Sequence, residues 1–184
     1  PGTPEKPRML SVPATSGGEL RLVVPEGRDL ACALIATLNA QGVFSAAFTL
    51  VGGALARAQY LTCMPCDDGE RVVAYGPPTP LDGPIAIVGG NGFLGMGEAG
   101  QPVLHCHAVL VAGNGKVHGG HLLPGQCPVR RGGALVHVAV IDGAALTVRH
   151  DEETNLPVFH PAAFERETHD RMSLHGKGVA HGLG

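Results

Sequence analysis

The chain is 184 residues long, which suits one domain with length left over for termini or insertions. Its 28 glycines and 15 prolines favour many turns and short strands over long helices. A net charge of −3 gives no overall basic footprint for nucleic acid, and no apolar run approaches the roughly 18 residues of a membrane helix.

Residues 1–17 are rich in Pro, Ser, Thr and Gly and read as an extended N-terminal arm. A domain is expected over residues 18–159. GELRLVV (18–24) alternates and then runs apolar, as a strand does, and Pro25-Glu26-Gly27 turns the chain. RDLACALIATLNAQG (28–42) is the best helix. Leu30, Ala33, Leu34 and Leu38 share a face, Asp29 can cap the start, and Gly42 supplies a stop. VFSAAFTLVGGALARAQYLT (43–62) reads as two apolar strands meeting at Gly52-Gly53.

CMPCDDGE (63–70) reads as a loop, RVVAYG as a strand, PPTPLDGP as a loop, and IAIVGGNGFLG as a glycine-laced strand. PVLHCHAVLVA (102–112) and KVHGGHLL (116–123) form a hairpin. ALVHVAVI and ALTVRH form a second, joined by Asp142-Gly143. Eight or nine strands with one main helix predict an α+β domain, a central antiparallel sheet with the helix over one face. Strands this apolar can also bury a face against another subunit. Beyond Asp151 the pattern fades. Residues 160–184 are expected to be a tail that packs on a neighbouring subunit.

The first hairpin carries the chemistry. His105 and His107 share one face of a strand and Cys106 points to the other. Such a pair presents two imidazoles at the separation one metal needs. Imidazole suits zinc, iron, copper or nickel, so the ligand type does not fix the metal. The third ligand depends on register. If Gly113-Asn114-Gly115 is a three-residue loop, His107 lies opposite His121 and His118 faces away. If Asn114-Gly115 is a two-residue turn, His118 joins the His105 face far down the hairpin. A bulge at Gly119-Gly120 then restores His121. Only the first and third arrangements are compact, so His105, His107 and His121 are the preferred set. Three neutral histidines leave an ion positive and open to water or an anion. The competing reading is a polar, solvated sheet face.

Other signals are weaker. Cys63-Met64-Pro65-Cys66 has redox spacing, but Asp67 and Asp68 follow it, so a plain loop is favoured. GGNGFLGMG (89–97) lacks the helix that a nucleotide loop needs and reads as a bulged strand. Arg130-Arg131 reads as solvated loop, Arg149 and Asp151 as an ion pair, and His137 and His150 as sheet residues. Five cysteines, an odd number, argue against a complete disulfide framework. PGTPEKPR shows no leader pattern, and a cytoplasmic location without a membrane partner is expected.

HCHAVLVAGNGKVHGGHLLPG resembles the core motif of the PPC (plants and prokaryotes conserved) domain family: H-x-H, a short turn, then G-G-H-L. Similarity continues through RLVVPEGRDLACALIATLNAQGVFSAAFTLVGGALARAQY upstream and LTVRHDEETNLPVF downstream, over roughly residues 19–159. The resemblance implies an α+β fold with a partly barrel-like antiparallel sheet, a homotrimer in prokaryotic members, and a metal site on His105, His107 and His121. The family is similar in fold to acetolactate decarboxylase, whose zinc is held by histidines, so zinc is the divalent metal expected.

In plants the domain follows AT-hook motifs, and many prokaryotic members are called DNA-binding on that basis. This chain departs from the pattern. Glu5-Lys6-Pro7-Arg8 is a poor substitute for a hook, Ala86 stands where the family often has Glu, and the tail is additional. Asn91, Glu98 and Arg149 are candidate pocket residues, Glu98 being a possible acid. Two functions follow. One is a trimeric regulatory or interaction module associated with DNA. The other is a metal-dependent lyase or hydrolase acting on a small anionic molecule.

Overall fold

A computed structural model describes residues 2–4, 6–7 and 9–163. The elements run β1 (Thr15–Val24), α1 (Leu30–Ala40), β2 (Ala46–Leu61), β3 (Cys63–Pro65), β4 (Val73–Tyr75), β5 (Thr79–Met96), β6 (Pro102–Ala112), β7 (Val117–Leu122), β8 (Val129–Asp142), β9 (Ala144–Asp151) and β10 (Leu156–Ala163). Eight strands form one sheet in the order β1-β8-β2-β7-β6-β5-β9-β10, and β3 and β4 form a separate ribbon. All pairings are antiparallel except a single β5–β9 contact. Because β2 also pairs with β5, the pairings β2–β5, β5–β6, β6–β7 and β7–β2 return to their starting strand. Among the described residues no helix is long and apolar enough to cross a membrane.

The helix forms where its periodicity predicts. Asp29 accepts from the Cys32 amide at 3.0 Å, and its second carboxylate oxygen accepts from the Cys127 amide at 2.8 Å. The cap therefore also ties the helix start to the chain after β7. Gly42, at φ +72, follows the helix in the left-handed conformation that ends helices cheaply only for glycine. Leu30, Leu34 and Leu38 are buried in one core with Leu104, Cys106, Ala108 and Leu110 of β6. The helix thus covers the inner face of the strand whose outer face carries the histidine pair.

Three expectations change. Residues 46–61 are one continuous strand, with its ladder to β8 shifted around Gly52 and Gly53, where two strands were expected. Bulges absorb the glycines while a partner on each side keeps the strand whole. Residues 134–141 and 145–150 do not form a hairpin. Both edges of β8 are taken by β1 and β2, so at Gly143 the chain crosses over and β9 pairs with β10 instead. The expected loops at 63–70 and 77–84 supply β3 and the first part of β5.

Strand β10 runs on through residues 160–163 of the segment expected as tail. Residues 164–184, and the expected packing of the tail, lie outside the described residues, as do Glu5 and Arg8.

Candidate metal centre

Strand β6 alternates cleanly. Leu104, Cys106, Ala108 and Leu110 are buried, while His105 and His107 point to the outer face. The Ala112 amide donates to the Lys116 carbonyl and the Gly115 amide to the Ala112 carbonyl, both at 2.9 Å. Gly113-Asn114-Gly115 is therefore a three-residue loop, in which Asn114 Oδ1 accepts from the Lys116 amide. The ladder pairs His107 with His121 and Leu110 with His118, with no shift along its length.

Gly119-Gly120 makes no bulge; Gly120 serves close approach instead. A Cβ there would stand 2.3 Å from the Leu61 carbonyl oxygen of β2, and its φ of +158 lies at the edge of the region that side chains avoid. Gly92 does the same beneath the histidine pair. A Cβ on it would lie 2.0 Å from the His105 carbonyl oxygen and 2.5 Å from the Phe48 ring.

The three imidazoles converge. Ring centroids are 4.8 Å apart for His105–His107, 4.4 Å for His105–His121 and 5.6 Å for His107–His121. One nitrogen from each lies within 4.8 Å of the others. Two nitrogens on one zinc ion stand ~3.3 Å apart, from bonds of about 2.0–2.1 Å at a tetrahedral angle, so small ring rotations close the set. His121 Nδ1 is buried without a hydrogen-bond partner, as a ligand nitrogen is when only an ion can satisfy it.

Burial, and then the neighbouring His107, holds His105 below the usual imidazole range. Burial, followed by His105 and His107, pushes His121 down to about 4. Both are neutral at pH 7, the form that binds metal. The donor set fits a divalent ion.

The profile of the Plants and Prokaryotes Conserved (PCC) domain matches residues 13–138. The chain belongs to that family. None of the curated proteins is a match. Among solved structures it is similar to a plant- and prokaryote-conserved protein from Pyrococcus horikoshii, with TM-score 0.68, 20% identity, and coverage of 85% of this chain and 100% of that one. It is similar to a protein from Archaeoglobus fulgidus described as metal-containing, with TM-score 0.65, 23% identity and 83% and 99% coverage. A protein from Bacteroides thetaiotaomicron provisionally called DNA-binding gives TM-score 0.63, 17% identity and 80% and 96% coverage. At these identities the likeness speaks to fold.

The PCC domain brings some candidates to the histidines and leaves others away. Asn91 is exposed on β5 directly opposite His107. The ladders place Arg21, His137, Thr49, Asn91, His107 and His121 in one polar row across the outer face. Glu98 lies in the turn beyond the Met96–Pro102 pair, and Arg149 lies on β9; neither joins the histidine group. Asp151 accepts from Glu153 and Thr154 in the turn before β10, where an Arg149–Asp151 ion pair was expected. His118 lies 3.1 Å through Nδ1 from the Tyr60 hydroxyl, and His137 pairs with Glu19 at 3.2 Å. Arg130 and Arg131, expected in a loop, begin β8 and are exposed.

Cys63 and Cys66 are three residues apart on extended chain, where side chains of odd separation point to opposite faces. The residue not anticipated is Tyr75, whose ring stacks on His121 at 5.4 Å and 28°.

Proposed function

We propose that this PCC-domain protein is a metal-binding module in which His105, His107 and His121 hold one divalent ion, with zinc the first choice. The observation that carries the reading is the convergence of three imidazoles within 4.8 Å, one of them with a buried, unpartnered nitrogen. An ion held by three neutral histidines supplies a positive, open position that binds an anion or acidifies a water. His107 is exposed in the single chain, which leaves that position open to a ligand or to a neighbouring subunit, and the Asn91 amide beside it can hydrogen-bond a small anionic ligand.

We read the outer sheet face as the contact surface of a homotrimer. Val23, Val51, Val88, Phe93, Val109 and Val117 are exposed on or beside it, and apolar side chains gathered on one sheet face mark an interaction surface. A regulatory or interaction role with DNA follows from what two relatives are provisionally called. Any phosphate contact would come from local charge on the assembled protein, because the chain carries a net −3.

A second reading, a metal-dependent lyase or hydrolase acting on a small anionic molecule, is favoured by the accessible position at His107. Against it, no carboxylate joins the group among the described residues.

Metal analysis of the pure protein beside His107→Ala and His118→Ala tests the primary reading. We expect metal in the wild type and in His118→Ala, and about 100-fold weaker binding in His107→Ala. Equally little metal in wild type and His107→Ala would refute it. Duplex binding that does not weaken with added salt would argue against phosphate contact.

A further inference from the structure

The β3–β4 ribbon lies outside the eight-stranded sheet, and none of its residues belongs to the buried core. It is nonetheless well tied. Its ladder pairs Cys63 with Tyr75, Met64 with Ala74 and Pro65 with Val73. The Cys66 amide donates to Val72 at 3.1 Å and the Gly76 amide to Thr62 at 3.0 Å, which extends the ladder at both ends. Asp68 closes the tip, accepting from the Glu70 and Arg71 amides and pairing with the Arg71 guanidinium at 2.8 Å. Asn155, in the turn before β10, donates to the Glu70 carbonyl at 2.9 Å and steadies that tip from outside.

The ribbon leaves β2 just after Leu61, the residue paired with His121. Its last residue, Tyr75, is 48% exposed and lays its ring on the His121 imidazole. A metal-bound histidine is usually oriented by a hydrogen bond from its second ring nitrogen. Neither ring nitrogen of His121 has a hydrogen-bond partner among the described residues, so whichever one takes the ion, the other does not orient the ring. The terminal torsion of histidine is broad enough that rotamer preference does not fix the ring plane. What remains to fix it is contact with flat neighbours. Tyr75 is the one such neighbour, among the described residues, that is not itself in the metal group.

We propose that Tyr75 is a positioning residue for the metal centre. Its ring holds the plane of His121 so that three imidazoles share one ion, and the β3–β4 ribbon is the arm that carries it. This rests on reading the histidines as metal ligands. The aromatic face does the work, so phenylalanine serves in its place, while a side chain of similar bulk without a flat ring does not. The ribbon also covers one side of His121, which leaves the exposed His107 side as the approach for a ligand.

Cobalt(II) titration against a competing chelator, read by visible absorption, tests the proposal. Tyr75→Ala and Tyr75→Leu are expected to bind cobalt about 10–100-fold more weakly, with altered band intensities, while Tyr75→Phe keeps the wild-type affinity and spectrum. Circular dichroism checks the sheet, and Tyr75→Leu carries the test if Tyr75→Ala does not fold. Wild-type affinity and spectrum in the leucine variant would overturn the positioning role and leave the metal reading standing. Loss in Tyr75→Phe equal to that in Tyr75→Leu would overturn the role of the ring face in favour of the hydroxyl. A wild type that takes up no cobalt would remove the metal reading, and this inference with it.

Discussion

The two faces of the β6–β7 hairpin are built from neighbouring residues and do opposite work. On the inner face Leu104, Cys106, Ala108, Leu110 and Leu122 are each 5% exposed or less and join the helix in the core. On the outer face His105, His107 and His121 meet, flanked by exposed Val109 and Val117. Cys106 makes the contrast plain. It sits between two histidines in sequence, yet burial pushes its thiol up to about 12 and keeps it from serving as a thiolate ligand. Parity along the strand, not proximity along the chain, decides which donors are available. The separation allows the outer face to be specialised for a ligand while the inner face supplies stability.

Substitutions on one face should then leave the other's property intact. The largest effect belongs to Leu110→Ala, because Leu110 is fully buried. It should cost about 2–5 kcal/mol in a denaturant melt, while the folded variant binds as much metal as the wild type. Loss of metal stoichiometry in that folded variant would mean the faces are coupled. Gly120→Ala should breach the separation. The new Cβ would press on the Leu61 carbonyl and push β7, with His121, away from β2. A cost of about 1–3 kcal/mol together with weaker metal binding is expected. A variant that loses stability at unchanged metal affinity would show that β2 does not set the position of His121.

Much of this division was legible in the sequence. The alternation around His105-Cys106-His107 gives the two faces, and the Gly113-Asn114-Gly115 loop, once its length is known, gives the third histidine. The helix and its Asp29 cap were legible because both signals are local. What sequence pattern missed is long-range. Asp142-Gly143 has the chemistry of a tight hairpin turn, but whether β8 has a free edge depends on β1, more than a hundred residues earlier. Gly52-Gly53 looks like a break because strand glycines usually weaken a strand, and only partners on both sides reveal a bulge. Tyr75 stood in a segment read correctly as a strand. Its place over His121 depends on pairing with Cys63, which no local periodicity encodes.

The remaining effect is electrostatic and belongs to the outer face alone. In the metal-free protein His121 is held down to about 4, first by burial and then by His105 and His107. An unfolded histidine titrates near 6.5. Between those values the unfolded chain binds a proton that the folded chain refuses, so the unfolded state gains as pH falls. The contribution of His121 is therefore fully present above about 6.5 and is lost progressively as pH falls toward 4. Chemical melts at stepped pH, with a chelator present, should show this slope in the wild type and the same slope, displaced downward, in Leu110→Ala. In His121→Ala the slope should flatten. Were His121→Ala to keep the wild-type slope, the acid sensitivity would lie elsewhere, and His121 would not be the source of the pH response.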